Sequence, residues 1–494
     1  MSESKERGGL VPVAGLSRRS FLGAGAVGAG LVSAGLLYRA IPASGDEVLY
    51  AIEGPGTPGG GEPVPVLSYA RTPDAPAALP PVLDVRQGDT LSVHFHNAMA
   101  RPTTVHWHGI RLPIAMDGVP FLTQNPVARG EAFHYRFAPP DAGTYWYHPH
   151  YASLDQIGAG LAGILVVREV DDPGYDADIP LLVRDWRRDE KGAWLPVSDS
   201  EAAGRAGTFG GWHTVNWERE PHYQVPSGSL VRLRLCNADL TRVFKVVGKG
   251  APAVLVAVDG HPLVVPEPLQ RELVGPGMRM DVVVRMPDTP GEVFELHNVS
   301  SSAPWVMMRL VSQGTSRRRS LSGIVPLPPN PVSMPSVDGA EVIRMDFNAG
   351  LGEGGAEDAL WSINKRAWVE RYPEERDGMA LPVLLGQSFP EVRAAVCGGG
   401  TPLAVLKQGR SYILELNNFT PHLHPIHVHG LAFSLLSSSR RSIRTGHFTD
   451  TALLLPKERM RVALVADNPG DWMVHCHIIE HQAFGMMGTI RVEA

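Results

Sequence analysis

A histidine- and cysteine-rich stretch near the C-terminus has the residue types of a metal site. Residues 475–481 read HCHIIEH, and Met486 follows five residues later. In a β-strand, alternation would place the two flanking histidines on one face and Cys476 on the other. A cysteine thiolate, two imidazoles and a weak thioether form the ligand set of a blue-copper electron-transfer centre, and Cys476, His481 and Met486 supply three of these four groups. The alternative is that Cys476 is a small buried apolar residue and that the histidines are satisfied core or surface residues.

Three further histidine clusters occur along the chain. Residues 106–109 read HWHG, residues 148–150 read HPH, and residues 424–430 read HPIHVHG. Each contains a His-x-His pair whose rings would share one face of a strand, which suits a metal cluster between domains. With the pair in residues 475–481 there are four pairs and eight imidazoles. The remaining residues could form a separate mononuclear site: His424, His481, Cys476 and Met486.

Together the motifs HWHG, HPH, HPIHVHG and HCHIIEHQAFGM resemble those of the multicopper oxidases, the family of laccases, bilirubin oxidases and bacterial copper-efflux oxidases. The resemblance covers about residues 46–494. It implies an all-β fold of three cupredoxin-like Greek-key β-sandwich domains, and four copper ions as cofactors: one type 1, one type 2 and two type 3. It also implies that a reducing substrate gives up single electrons near His424 or His481 and that four electrons reduce one O2 to two waters.

The resemblance assigns a ligand set to each copper. The type 1 copper would have His424, Cys476 and His481, with Met486 as the axial ligand. The type 2 copper would have His106 and His427. One type 3 copper would have His108, His148 and His477, and the other would have His150, His429 and His475. The strand His475-Cys476-His477 would carry electrons from the type 1 copper to the other three.

Proton supply to the oxygen site requires a carboxylate. Asp117 matches the acidic residue that the family places beside the type 2 and type 3 coppers, although a turn aspartate is the alternative. Gln482 departs from the family pattern, because bacterial copper-efflux and spore-coat members have a glutamate directly after the histidine that corresponds to His481. An amide cannot exchange a proton at neutral pH, and Glu480 need not occupy the same place.

The composition favours a protein of several β-domains. The 494 residues, 44% of them hydrophobic, suffice for two to four packed domains, and 53 Gly and 43 Pro favour short strands joined by turns. Strand patterns predict domains at 46–170, 176–315 and 341–494, with a Pro-rich, exposed linker at 316–340. All four histidine clusters fall in the outer two domains, so the middle one is expected to be a structural spacer. A net charge of -6 offers no basic field for nucleic acid.

Residues 1–43 predict a Tat-type signal peptide. Arg18 and Arg19 precede an apolar Gly/Ala-rich run at 23–37, which is short for a membrane-spanning helix. We therefore expect Tat export, cleavage near Ala43, and a monomeric periplasmic product without a stable membrane partner. An N-terminal anchor that is never removed is the alternative.

Other cysteines and histidines have plainer interpretations. Cys236 and Cys397 could pair in an oxidising compartment, but a buried free thiol is expected for Cys236. His94 and His96 also form a His-x-His pair, yet they match no ligand position of the family. We expect them to be half-buried strand residues.

The methionine pattern bears on the reducing substrate. Copper-efflux oxidases often carry a methionine-rich tract that binds Cu(I), and the 15 Met of this chain form no such tract. Several look like core residues: Met278, Met280, Met286, Met307 and Met308. We therefore expect a small phenolic or aromatic amine donor, with a periplasmic cuprous oxidase for copper tolerance as the alternative. A copper-sequestering protein or a non-enzymatic envelope scaffold is a further alternative, and the full set of ligand residues disfavours a scaffold.

Overall fold

Short strands joined by turns make up most of the chain. The computed structural model describes residues 46–300, 304–324, 326–350, 359–369 and 401–494. The helices in these ranges are α1 (Ser153–Ala159), α2 (Ser200–Ala203) and α3 (Ile479–Ala483), with 3-10 turns at Ile114–Met116 and Leu321–Gly323. The all-β expectation is confirmed. The predicted signal peptide and Cys397 lie outside the described residues.

Residues 46–168 form two four-stranded sheets. Their strands are β1 (Asp46–Gly56), β2 (Val64–Ala70), β3 (Leu83–Arg86), β4 (Leu91–Asn97), β5 (His106–His108), β6 (Ala132–Phe137), β7 (Gly143–His148) and β8 (Gly163–Arg168). The strand orders are β2-β1-β4-β6 and β3-β8-β7-β5. Each sheet has one parallel contact, β1 with β4 and β3 with β8.

Residues 177–313 repeat this plan with more strands. They are β9 (Ala177–Trp186), β10 (Trp212–Val215), β11 (His222–Pro226), β12 (Leu230–Asn237), β13 (Phe244–Lys249), β14 (Ala253–Val258), β15 (His261–Pro268), β16 (Glu272–Val274), β17 (Arg279–Arg285), β18 (Val293–Asn298) and β19 (Trp305–Gln313). The sheets are β10-β9-β12-β17-β14-β15 and β11-β19-β18-β13-β16. The parallel contacts are β9 with β12 and β11 with β19.

The plan recurs in residues 341–493. The strands are β20 (Glu341–Ala349), β21 (Trp361–Ile363), β22 (Trp368–Val369), β23 (Ala404–Lys407), β24 (Ser411–Asn418), β25 (His424–Val428), β26 (Phe433–Ser438), β27 (Phe448–Thr449), β28 (Thr451–Leu454), β29 (Arg459–Val465), β30 (Gly470–Cys476), β31 (Phe484–Gly485) and β32 (Met487–Glu493). The main sheets are β21-β20-β24-β29-β26-β27 and β23-β32-β30-β25-β28, and β22 pairs with β31. The parallel contacts are β20 with β24 and β23 with β32.

The same pair of parallel contacts in three successive segments describes three related β-sandwiches, as in cupredoxin-like folds. One buried apolar cluster includes residues of the first and third segments, from Leu49 to Val492, whereas the middle segment has a cluster of its own. Apolar burial therefore holds the two ends of the chain together. The methionines expected in the core lie in or against the middle cluster.

The Pro-rich stretch 316–340 contains no strand among its described residues. It is nevertheless attached to the first and middle segments. The side-chain amide of Asn330 donates hydrogen bonds to the carbonyls of Ala142, at 2.9 Å, and Gly260, at 3.0 Å. The prediction of an exposed linker therefore omitted these anchoring contacts.

Candidate metal centres

Strand register brings the four His-x-His pairs together. Strands β5 and β7 are antiparallel, with His106 opposite His148. Strands β25 and β30 are also antiparallel, with His427 opposite His475 and Ile426 opposite Cys476. Since β-strand side chains alternate, Cys476 faces away from the histidine on either side of it.

The eight histidines of these pairs form one buried group, which we call the histidine cluster: His106, His108, His148, His150, His427, His429, His475 and His477. Each is at most 3% exposed. Rings of the first and third segments stack in pairs, His106 on His429 with centroids 3.9 Å apart and His108 on His427 at 3.7 Å. The cluster therefore lies where the two segments meet.

Within the cluster, three sets of ring nitrogens lie within 4.8 Å of one another. They are His106, His108 and His427; His108, His148 and His477; and His150, His429 and His475. The last two sets are the residues that the family resemblance assigns to the type 3 coppers. The first contains both residues assigned to the type 2 copper, together with His108.

The nitrogens that face one another in the cluster fit a metal. The Nε2 atoms of His106, His148, His150 and His427 are buried and have no hydrogen-bond partner among the described residues. Buried polar atoms are normally paired, and a lone pair that no donor satisfies can bind a metal ion. Burial holds the pKa of His148 and His150 well below the usual range, which keeps these rings neutral and able to ligate.

Asp117 lies behind two rings of the cluster. Its carboxylate accepts from Nδ1 of His429 at 3.0 Å, and its main-chain carbonyl accepts from Nδ1 of His106 at 2.8 Å. Each hydrogen bond directs the other ring nitrogen toward the cluster centre. Gly118 follows with a φ of 75°, and a Cβ there would approach the Val105 carbonyl oxygen to 1.8 Å. Glycine is therefore required beside Asp117.

A second buried carboxylate, Asp450, was not found from the sequence. One oxygen lies 3.3 Å from both Nε2 of His108 and Nδ1 of His427, and both oxygens accept from the Arg279 guanidinium. Burial opposes ionisation of Asp450, but the Arg279 charge and hydrogen bonds hold its pKa well below the usual range. The available signal was a charged residue at the start of a mostly apolar stretch: Arg279 precedes MDVVV, and Asp450 precedes TALL.

The middle segment also shapes the cluster through Gly277. Its φ is 82°, and a Cβ at this position would lie 2.7 Å from the His477 ring and 3.1 Å from the His108 ring. Arg279 and Gly277 both belong to the middle segment. Beyond the expected spacer role, this segment therefore supplies groups that touch the cluster histidines.

A separate trio lies on the opposite face of β30. Sγ of Cys476 is 3.5 Å from Nδ1 of His424 and 3.6 Å from Nδ1 of His481, and the two nitrogens are 3.0 Å apart. Nε2 of His424 is hydrogen-bonded to the Thr420 hydroxyl at 2.7 Å, and Nε2 of His481 donates to the Arg205 carbonyl at 2.9 Å. Both rings are thereby fixed with Nδ1 toward the sulfur.

Met486 and Trp361 complete the surroundings of this trio. Met486 is fully buried, its main-chain N–H donates to the His481 carbonyl at 2.8 Å, and its carbonyl accepts from Cys476 at 3.0 Å. The Trp361 ring lies 4.1 Å from the His481 ring, between centroids. These main-chain contacts place Met486 beside the trio, between β31 and β32.

Residues 198–208 of the middle segment cover the trio, and we call them the cover. The carbonyl of Ala203 accepts from Nε1 of Trp361 at 2.9 Å, and that of Arg205 accepts from His481. The buried Glu480 carboxylate accepts from the hydroxyls of Ser198 and Thr208 and from the Thr208 N–H. His424 and His481 are consequently fully buried. The expected position of a donor near these rings is therefore lined by the cover in this structure.

The other singled-out residues are not among the candidate ligands. Gln482 is buried and its amide approaches the Ser153 hydroxyl at 3.4 Å. His94 and His96 are half-buried on β4, as expected, and His94 stacks on His134 with centroids 4.0 Å apart. Cys236 is a buried free thiol, also as expected.

Comparisons with known proteins agree with this geometry. Two family profiles, both described as multicopper oxidase, match residues 76–172 and 384–494. A crystal structure of a multicopper oxidase from Pseudomonas thermotolerans is 38% identical, with a TM-score of 0.79 over 92% of this chain and 100% of that one.

Two further relatives are more distant. A multicopper oxidase of Mycobacterium tuberculosis is 28% identical over 86% of this chain and 83% of its own length. A bacterial laccase-like multicopper oxidase from Ochrobactrum sp., with oxidase activity towards lignin model compounds and lignosulfonate, is 26% identical. Its TM-score is 0.70 over 91% of this chain and 98% of that chain.

Proposed function

Because this chain belongs to the multicopper oxidase family, a class of copper-dependent oxidoreductases that use O2, we propose a laccase-like activity for it. In this proposal the Cys476 trio accepts single electrons from a small phenolic or aromatic amine donor. The histidine cluster is the site where O2 is reduced to water. The observation that best supports this proposal is that His475, Cys476 and His477 are consecutive. The end of one strand therefore contributes residues to both sites.

The ligand assignment follows the observed groups. His424, Cys476 and His481, with Met486, would hold the type 1 copper, and the eight cluster histidines would hold the other three ions. When bound, copper supplies one-electron redox chemistry at the trio and four-electron reduction of O2 at the cluster. Burial lowers the pKa of cluster imidazoles such as His148 and His150, and of both imidazoles of the trio, which favours the neutral form. Hydrogen bonds at the second ring nitrogen fix five of the rings: His106, His427, His429, His424 and His481.

Two carboxylates are placed to serve the oxygen site. Asp117 contacts His106 and His429, and Asp450 contacts His108 and His427. We assign proton supply to Asp117 because Asp450 is already committed to a buried ion pair with Arg279. Gln482 cannot exchange protons at neutral pH, so the proposal does not depend on it.

An organic donor is favoured over Cu(I) by the methionines. Met280, Met286, Met307 and Met308 are at most 3% exposed and pack in the middle core. Their thioethers are therefore unavailable for binding Cu(I) at the surface. A cuprous oxidase is the second candidate, since the family includes copper-efflux members.

We further propose Tat export to the periplasm, cleavage near Ala43, and a monomer of three domains at 46–170, 176–315 and 341–494. The twin arginine at residues 18–19 and the apolar run after it support the export step. In the described part of the chain, no helix has both the length and the apolarity needed to cross a membrane. Mass determination of the N-terminus of the exported protein tests the cleavage.

Oxygen consumption by the copper-loaded protein, measured with a phenol and with Cu(I) in parallel, tests the oxidase activity. We expect four coppers per chain and faster turnover with the phenol. The variant Cys476→Ser should lose the blue colour and the turnover, whereas Cys236→Ser changes the other described buried thiol and should keep both. Full activity in Cys476→Ser would refute the assignment. A strong preference for Cu(I) would favour the cuprous oxidase, and full copper loading without oxygen uptake would favour sequestration.

A further inference from the structure

A cavity of about 220 Å³ lies apart from both copper sites, between the first and middle segments. Its walls are mostly apolar and include Pro65, Trp194, Leu195 and Leu240. Pro65 also lines a broader neighbouring groove, which gives a ligand a route from solvent. Pockets for drug-sized ligands have roughly 300–1,000 Å³, so this smaller cavity suits a single-ring compound.

The guanidinium of Arg184 lines the cavity and lacks a full set of acceptors. Its side chain is buried, stacks on the Trp186 ring at 3.9 Å, and donates from Nη2 to the Gly158 carbonyl at 3.0 Å. Its Nε and Nη1 have no acceptor among the residues that the structure describes. Burial lowers the pKa of Arg184 to about 10, which leaves it charged at neutral pH. A buried cation with free N–H groups requires a partner.

The nearby carboxylates are already bound to other groups. Asp185 pairs with Nδ1 of His213 at 2.6 Å and with the Arg242 guanidinium. Asp239 accepts from the main-chain N–H groups of Asp185, Thr241 and Arg242. A third carboxylate of the lining, Asp155, pairs with Arg101 at 3.1 Å. None of the three forms a hydrogen bond or an ion pair with Arg184 in the described residues. The remaining N–H groups of Arg184 are therefore available to an incoming acceptor.

We propose that this cavity, named the Arg184 cavity, binds a small aromatic acid that serves as an electron donor, with its carboxylate on Arg184 and its ring against Trp194, Leu195 and Leu240. The proposal rests on the oxidase function above and specifies its substrate class. Guanidinium matches carboxylate in geometry and charge, and the apolar walls match an aromatic ring better than an inorganic anion.

Two contacts connect the cavity wall to the trio. Thr208 lines the cavity, and its hydroxyl donates to the Glu480 carboxylate at 2.6 Å, one residue before His481. Leu240 lines it too, and its carbonyl accepts from the main-chain N–H of Ile479, in the same helix as His481, at 2.9 Å. Hydrogen bonds thus link the cavity wall to the helix that carries His481, and in this proposal a donor in the cavity gives its electron along this connection without contacting the ring.

The binding test uses benzoate, which has the carboxylate and the ring but no phenol, and calorimetric titration of the copper-loaded protein. We expect benzoate to bind more tightly than acetate, and Arg184→Met to weaken benzoate binding at least about tenfold. Arg271→Gln, which removes an exposed arginine of the middle segment outside the cavity, should leave binding unchanged. No benzoate binding by the wild type, or equal binding by Arg184→Met, overturns the proposal.

Circular dichroism shows whether Arg184→Met folds. If it does not, Leu195→Glu tests the site from an exposed position of the wall, because its carboxylate would compete for Arg184. Weaker benzoate binding in Leu195→Glu supports the proposal, and unchanged binding overturns it.

The donor test compares a hydroxybenzoate with its neutral methyl ester. We expect a lower KM for the acid in the wild type, and equal KM values in Arg184→Met with the ester kinetics within about twofold of the wild type. Equal KM values already in the wild type overturn the cavity as a donor site while leaving the oxidase function intact. If benzoate binds but the acid, the ester and Cu(I) all fail to support oxygen uptake, the oxidase function and the donor role are refuted. The Arg184 cavity would then still be a binding site for aromatic acids.

Discussion

Glu480 is the residue by which the third segment holds the cover over His481. Its carboxylate is 1% exposed and accepts three hydrogen bonds, from the Ser198 hydroxyl and from the hydroxyl and N–H of Thr208. Replacing Glu480 with alanine removes both carboxylate oxygens and with them all three hydrogen bonds. Replacing it with glutamine keeps an oxygen for Thr208 and loses the charge.

The expected magnitudes follow from these contacts. A hydrogen bond to a charged group contributes about 1.5–3 kcal/mol, and a donor left without a partner adds its desolvation penalty. If the cover is displaced, water can satisfy the donors of Ser198 and Thr208. The loss of stability should therefore be much smaller than the summed contribution of three hydrogen bonds. We expect Glu480→Ala to lower the free energy of unfolding by about 3 kcal/mol and Glu480→Gln by about 1 kcal/mol.

Urea unfolding measures the stability, and hydrogen exchange of the amides at 198–208 measures the detachment of the cover. In Glu480→Ala those amides should exchange at least tenfold faster, and bulky phenols should bleach the blue absorbance faster because His481 becomes accessible. Glu201→Ala is the matched control, since this residue lies in the cover, its side chain is 75% exposed, and its ion-pair partner among the described residues is Arg205. Unchanged exchange at 198–208 in Glu480→Ala would refute the assigned role of Glu480.

Three further variants test other parts of the structure. Asp450→Asn should lower the free energy of unfolding by about 3 kcal/mol, because it breaks a buried ion pair, and should reduce bound copper below the wild-type number; normal stability and loading would contradict its role. Met486→Leu should raise the redox potential of the trio, since a thioether stabilises oxidised copper, and an unchanged redox titration would exclude Met486 as a ligand. Burial lowers the pKa of His447 to about 4. Below pH 6.5 the unfolded chain therefore binds a proton at this residue that the folded chain does not bind, so the free energy of unfolding falls as the pH drops from 6.5 to 4. His447→Gln should remove up to about 3 kcal/mol of that fall, measured by urea unfolding across the pH range.

The sequence predicted what depends on spacing within one strand. A His-x-His pair must place both rings on one face, and a cysteine between them must face the other way, whatever the rest of the fold does. For the same reason, the sequence alone separates the residues of the histidine cluster from those of the Cys476 trio. The eight rings, however, meet only because β5 pairs with β7 and β25 with β30, and a common apolar core joins the first and third segments.

The groups behind the ligands could not be found in this way. Asp450, Arg279 and Glu480 are single residues without a repeating pattern. The pair Asp450–Arg279 is 171 positions apart along the chain, and the pair Glu480–Ser198 is 282 positions apart. Their roles arise where one β-sandwich packs on another. The alternation of side chains within a strand gives no information about such contacts. Arg184 illustrates the same limit, because only the packed structure shows which of its N–H groups lack an acceptor.

The middle segment links the environments of the two sites. At the histidine cluster it contributes Arg279, which holds Asp450 against His108 and His427. At the trio it contributes the cover, whose Arg205 carbonyl fixes the His481 ring. Both contacts cross from the middle to the third segment, so a shift of the middle sandwich would disturb rings at both sites together. A segment without metal ligands therefore controls both how the imidazoles are oriented and how a donor approaches them.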